Sequence, residues 1–160
     1  MQENASQALG VRKISRSTQI EASLDRVFLA LTDVGSMQKW WNVSRGLIEP
    51  RKGGVWALAW ERSDTGYRSV SSGVIKSFAA NKRIRIEPLV FFSPERPVIG
   101  PTRLSFGLSE KQGKTKLTVR QDGIGEGADW DWYFDSCSKG WKETLSNLKQ
   151  HLEQPLALPS

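Results

Sequence analysis

Residues 130–152, WDWYFDSCSKGWKETLSNLKQHL, decide how this chain is read. Trp130, Phe134, Cys137, Trp141, Leu145, Leu148 and Leu152 recur there at steps of three or four. That spacing puts them on one face of a helix running for roughly six turns. A helix so long and so aromatic must bury that face against a large apolar surface, and only a sheet built by the preceding residues can supply one.

Working back from the helix, Leu104, Phe106 and Leu108 alternate with Arg103, Ser105 and Gly107, and Leu117 and Val119 continue the alternation beyond Gln112 and Gly113. Period-two alternation across a tight polar connection reads as a hairpin with one face toward a core. Earlier, Trp56, Leu58, Trp60 and Arg62 share one parity and Val55, Ala57, Ala59 and Glu61 the other, so this strand is covered on both faces. Further strands are expected over 13–21, 46–49, 66–78 and around Ile84 and Ile86. The stretch from Pro88 to Pro101 holds Leu89, Val90, Phe91, Phe92, Val98 and Ile99 between prolines and reads as an apolar loop with a task. Two short helices are expected between the first two strands. Ser23 is placed to cap one carrying Val27, Phe28 and Leu31, and the other spans Gly35 to Trp41. The predicted class is α+β: an antiparallel sheet wrapped around the C-terminal helix.

Composition narrows the class further. A chain of 160 residues holds one domain of ordinary size. We read 1–12 as a disordered arm, 13–153 as the single ligand-binding domain and 154–160 as a flexible tail. No segment approaches the ~18 apolar residues that cross a bilayer, and the N-terminus carries no signal-like apolar run, so stable membrane insertion is not expected and a cytoplasmic protein is. The net charge of +6 is spread over separate segments (Arg12, Lys13 and Arg16; Lys82, Arg83 and Arg85; Lys111, Lys114, Lys116 and Arg120). Each is mixed with apolar residues in a strand pattern, which is the signature of solvated strand faces rather than of a nucleic-acid surface. The single Cys137 cannot form an internal disulfide and falls on the apolar helix face.

The order strand, two short helices, six strands and one long helix is that of the helix-grip fold. The residues that carry the resemblance are Ile20 to Trp41 (IEASLDRVFLALTDVGSMQKWW), the turn Gly53-Gly54-Val55-Trp56, Gly73-Val74-Ile75, and Gly140-Trp141 followed by Leu145, Leu148, Lys149 and Leu152. Together they resemble the START-like or Bet v 1-like superfamily, in particular its branch related to the activator of the Hsp90 ATPase. Resemblance extends over most of residues 14–153. It implies a curved seven-stranded antiparallel sheet around the C-terminal helix, with a hydrophobic cavity bounded by the two short helices and the loops at one end. It also implies binding of lipids, sterols, hormones or polyketides, with cyclisation or dehydration in a minority of members. Eukaryotic Hsp90 activators carry an additional N-terminal domain, for which these 160 residues leave no room.

Chemistry has few candidates. His151 is the one histidine and lies at the end of the last helix, where a cation suits the helix dipole, and nothing around it resembles a nucleophile motif. One Cys and one His do not make a zinc site, and no metal or other cofactor is expected. Asp122, Glu126, Asp129, Asp131 and Asp135 gather near the helix start without calcium-loop spacing. Glu61 is the one weak catalytic candidate, because a carboxyl buried inside a Trp-rich strand would have a raised pKa. Trp141 and Phe134 are assigned to the core. Trp40, Trp41, Trp56, Trp60 and Trp132 exceed what one small core absorbs, and with Phe92 and Phe106 they are the expected aromatic wall of a ligand cavity. Arg16, Gln121 and Glu61 are its expected polar anchors.

Three readings follow. The first is a protein that holds an apolar or aromatic small molecule between sheet and helix. The second is a cyclase or dehydratase that uses a pocket carboxylate such as Glu61. The third is an interaction or chaperone-associated module whose contact is the basic surface and the 88–101 stretch, and a homodimer is left open. Whether 88–101 closes a pocket or stands clear of it discriminates the first from the third.

Overall fold

The computed structural model describes residues 10–155. In chain order they form β1 (Arg12–Ile20), α1 (Leu24–Thr32), α2 (Val34–Trp40), β2 (Arg45–Ile48), β3 (Val55–Ser63), β4 (Gly66–Ala79), β5 (Arg83–Ser93), β6 (Arg96–Lys111), β7 (Lys114–Ile124) and α3 (Ala128–Glu153). The seven strands make one antiparallel sheet in the order β1-β7-β6-β5-β4-β3-β2. Consecutive strands from β2 to β7 pair as hairpins. β1 pairs with β7, and α1 and α2 carry the chain from that edge to the opposite one. This is the α+β helix-grip architecture expected from the sequence.

The sheet curves because its concave face must meet the buried side of α3. Trp141, Leu145, Leu148 and Leu152 are buried in one cluster with Ile14, Phe106, Leu117 and Val119 from β1, β6 and β7. At 26 residues α3 is about 39 Å long, enough to cross the sheet. Val27, Phe28 and Leu31 bury the inner face of α1, and Phe28 meets Phe78 edge-on at 5.5 Å. Among the described residues, no helix is long and apolar enough to cross a membrane.

Two expectations change in detail. Of the predicted arm and tail, residues 1–9 and 156–160 lie outside the described residues, whereas Arg12 already belongs to β1 and pairs with Ile124. Ser23 does occupy the N-cap position of α1, but its hydroxyl caps no backbone amide. It serves instead, with nearby amides, to hold the Asp25 carboxyl below its usual pKa. Asp33 is the side chain that caps, accepting from the Ser36 amide at 2.9 Å at the start of α2.

The largest correction concerns 88–101, which is a β-hairpin, not a loop. β5 runs on to Ser93 and β6 starts at Arg96, with Phe91 paired to Ile99 and Leu89 to Thr102. The prolines misled the sequence reading because proline removes a ladder donor. Here Pro88 lies where the β5–β6 register shifts, between Ile86 and Leu89, and at such a bulge the missing N–H leaves the ladder intact. Gly73 of β4 faces the same bulge. A Cβ there would lie 2.4 Å from the Pro88 carbonyl oxygen, so only glycine allows the close approach.

Candidate functional site

The cavity follows from where the chain puts small side chains. On the concave face, β3 contributes Trp56, Leu58 and Trp60, which pair with Gly73, Ser71 and Ser69 of β4. Ser71 in turn pairs with Phe91 of β5. A row of small residues therefore lies between rows of large ones. Opposite it, α3 presents Ser136, Cys137, Gly140 and Thr144, which are also small. Small facing small leaves volume in an interior that is otherwise close-packed. The result is a cavity of about 260 Å³ ringed by Trp41, Trp60, Phe91, Trp132, Tyr133 and Trp141, with Trp56, Leu89, Leu104 and Gln121 completing its wall.

Trp41 stands at the centre of the rings. Trp40 stacks on it at 5.3 Å and 13°, Trp60 meets it edge-on at 5.3 Å, and Trp141 lies 5.1 Å away. The Trp60 indole N–H donates to the Trp41 carbonyl at 3.1 Å, joining β3 to the end of α2. At the other end Phe91 lies 5.8 Å from Trp132 and 5.3 Å from Tyr133. The Arg96 guanidinium sits 3.8 Å above the Trp132 ring and 3.3 Å from the Asp129 carboxylate. The β5–β6 hairpin is thus tied to the first turns of α3 by a cation–π contact and an ion pair. Its inner face, Leu89 and Phe91, lines the cavity, while Phe92 and Val98 on the outer face are 42% and 63% exposed.

Gln121 is the polar knot of the site. It is 2% exposed on β7 and engages three partners. Its side-chain amide donates to the Tyr133 hydroxyl at 2.9 Å and to Thr102 Oγ1 at 3.4 Å, and its oxygen accepts from the Trp141 indole N–H at 3.0 Å. The sheet and α3 are fastened together at the cavity wall, and Gln121 has both amide protons and its oxygen engaged. Burial pushes Tyr133 well above its usual pKa, with the neighbouring Cys137 adding to the effect. Burial also pushes the Cys137 thiol up to about 12. Both groups are neutral at physiological pH, so Cys137 presents a thiol and not a thiolate.

The expected site residues divide cleanly. Trp41, Trp56, Trp60, Trp132 and Gln121 line the cavity. Trp40 does not; it is buried behind Trp41 and donates to the Ala30 carbonyl at 3.2 Å, tying α2 to α1. Phe106 lies beneath the wall, edge-on to Trp141 at 5.8 Å. Phe92 points outward because Phe91 takes the inward parity. Arg16 donates to the carbonyl and hydroxyl of Ser138 at 3.1 and 3.0 Å, fastening β1 to α3 instead of reaching a ligand. Glu61 takes a left-handed φ of 55°, where the alternation of β3 ends, and its side chain is 67% exposed, 3.5 Å from Arg68.

The sequence reading missed Trp141, Tyr133 and Phe91 as wall residues, and with them the small residues that create the space. A signal was present: Tyr133, Cys137, Gly140 and Thr144 also recur at three and four, on a stripe that shares Cys137 with the one read as core. A second concavity, about 560 Å³, lies outside the aromatic ring among Lys52, Val74, Lys76, Glu87 and Pro88. It has no comparable set of aromatic walls.

A comparison with curated proteins finds no match. Solved structures agree with the fold at low identity. Protein CV1439 from Chromobacterium violaceum is 19% identical with a TM-score of 0.70, over 90% of this chain and 99% of that one. The Aha1 dimer from Colwellia psychrerythraea is 20% identical with a TM-score of 0.67, over 91% of this chain and 99% of that one. CalU16 from Micromonospora echinospora is 20% identical with a TM-score of 0.63, over 91% and 84%. The fold, the order of its elements and a sequence match across residues 21–153 agree, and the chain belongs to the family of activator of Hsp90 ATPase homolog 1-like proteins.

Proposed function

We propose that this protein binds an apolar or aromatic small molecule in the cavity between the sheet and α3. The observation that carries the proposal is the aromatic ring around about 260 Å³ of space, where β3 to β7 meet α3 and the small residues of β4 face those of α3. Binding there would be driven by burial of apolar surface at ~25 cal/mol per Å², less the ordering of ligand and side chains. The β5–β6 hairpin supports this reading over the interaction module, because its inner face lines the cavity and its tip is tied to α3. Support for acid–base chemistry through Glu61 is weak, since that carboxylate is solvated and paired with Arg68 outside the cavity. A cytoplasmic setting and self-association belong to the same proposal; the Colwellia relative was solved as a dimer.

The deciding experiment is native mass spectrometry of the protein purified from its own host, with extraction of whatever leaves on denaturation. A stoichiometric apolar compound, lost in a Ser71→Leu variant that fills the cavity floor, is the expected result. An empty protein with no thermal shift across lipid and aromatic panels, yet able to stimulate an Hsp90 ATPase, would replace this reading by the one in the family's name.

A further inference from the structure

Charges dispersed along the sequence meet on the outer face of the sheet, the side turned away from α3. Arg85 of β5, Arg103 of β6 and Arg120 of β7 each stand between two buried, inward-facing neighbours and so project from that side. The register sets Ser105 of β6 directly opposite both Arg85 and Arg120. Arg103 precedes Ser105 by two residues on the same face, so three arginines surround one hydroxyl. With strands about 4.8 Å apart, the Arg85 and Arg120 backbones lie about 10 Å apart, and Arg103 about 7 Å along its strand from Ser105.

Two carboxylates hold the group together. Asp122 accepts from Arg103 Nε at 2.5 Å and from Arg120 Nε at 3.1 Å. Both of its oxygens are used, while the terminal nitrogens of those two guanidiniums have no acceptor among the described residues. Glu87 lies 3.1 Å from Arg85 and 3.4 Å from Lys76. The carboxylates are the covered members, and the Arg85 and Arg120 side chains are 41% and 50% exposed. Four cations and two carboxylates leave two net positive charges, and Arg83, two residues before Arg85, adds a third. Holding like charges this close costs Coulomb energy that a bound anion would remove. The cross-strand neighbours of the arginines, Ser15, Ser77, Ser105 and Asp122, include no ring on which a nucleic-acid base could stack.

We propose that this outer face holds a site for a phosphomonoester dianion, bound by the terminal N–H groups of Arg103 and Arg120, the Arg85 guanidinium and the Ser105 hydroxyl. Planar guanidinium forks match phosphate oxygens in pairs, and a phosphomonoester near neutral pH carries almost the two negative charges the group lacks. The site lies across the sheet from the aromatic cavity and does not depend on what the cavity holds. A lipid headgroup and a soluble phosphomonoester present the same chemistry to it.

The test measures binding at slightly alkaline pH and about 0.15 M salt, where distant charges are screened. The probes are phosphatidylcholine vesicles doped with phosphatidic acid, the same vesicles doped with phosphatidylglycerol to equal surface charge, and glycerol 3-phosphate in solution. Wild type is expected to bind phosphatidic acid vesicles, glycerol 3-phosphate or both; vesicles alone identify a headgroup as the source, and comparable binding in solution a soluble phosphomonoester. Arg85→Gln/Arg120→Gln leaves each carboxylate one cation and should weaken binding at least about tenfold. Lys13→Gln/Lys116→Gln removes equal charge from the same face outside the site and should weaken it less than about threefold. Failure of both phosphomonoester probes to bind, phosphatidylglycerol vesicles binding as tightly as phosphatidic acid vesicles, or the two double variants weakening binding alike overturns the inference. Should Arg85→Gln/Arg120→Gln fail to fold, Ser105→Asp sets a carboxylate among the arginines, and retained binding in that variant is equally fatal.

Discussion

Replacing Gln121 by Leu keeps the side chain's bulk and removes all three of its hydrogen bonds. The partners do not suffer equally. Trp141 Nε1 loses its acceptor and has no second one among the described residues, so a buried donor is orphaned at ~1–3 kcal/mol. Tyr133 loses the proton donated to its hydroxyl at 2.9 Å, a net contribution of about 1 kcal/mol. The Thr102 contact at 3.4 Å is long and adds little, and Thr102 keeps its own bond to the Leu89 carbonyl at 3.5 Å. Against these losses stands the transfer of an amide out of the interior, which favours leucine. The expected destabilisation is about 2–3 kcal/mol, equivalent to roughly 4–12 °C in Tm for a chain of this size. Urea unfolding followed by tryptophan fluorescence gives the free energy. A double-mutant cycle with Trp141→Phe then isolates the pair and should return a coupling of about 1 kcal/mol or more. Destabilisation by Gln121→Leu of less than about 0.5 kcal/mol, or a coupling indistinguishable from zero, would refute the view that this network fastens α3 to the sheet.

Two predictions concern pH. The Tyr133 and Cys137 pKa values are raised in the folded state, so their stabilisation is fully present below the unfolded values and lost as pH rises. Unfolding free energy should therefore fall from about pH 9 upward, by up to ~1.4 kcal/mol per pH unit for each group, and Cys137, though only half-buried, should resist thiol reagents at pH 8 until denaturant is added; rapid labelling of the native protein would contradict the raised pKa. Asp122 behaves oppositely. Burial raises its pKa, but hydrogen bonds from Arg103 and Arg120 outweigh that and leave it lowered, so its contribution is present above the unfolded value near 4 and lost as pH falls. Asp122→Asn should flatten the acid limb of the stability profile at a cost of about 1 kcal/mol at pH 7, and an unchanged limb would show that the pair is fully screened.

The fold was legible because it rests on periodicity. Trp141, Leu145, Leu148 and Leu152 mark the buried face of α3, and Leu104, Phe106 and Leu108 the inner face of β6, wherever those elements pack. Half of the residues expected at the site line the cavity, and for some the reason is the same: bulky rings at inward parity, such as Trp56 and Trp60, reach the interior whatever lies opposite. Phe91 and Phe92 show the limit. They are adjacent and chemically alike, and the register shift beyond Pro88 helps decide which faces inward.

By itself, then, the sequence determined the elements, their order and the supply of aromatic side chains, since these depend on local spacing along the chain. The tertiary structure alone decided that Ser69 and Ser71 face Cys137 and Gly140, residues more than sixty positions apart, and so where space remains. It also decided that the Gln121 hydrogen bonds are spent on Tyr133, Thr102 and Trp141, while the Trp56 N–H has no partner among the described residues. A void and an unpaired donor are properties of what is missing around a residue, and only packing in three dimensions fixes what surrounds it.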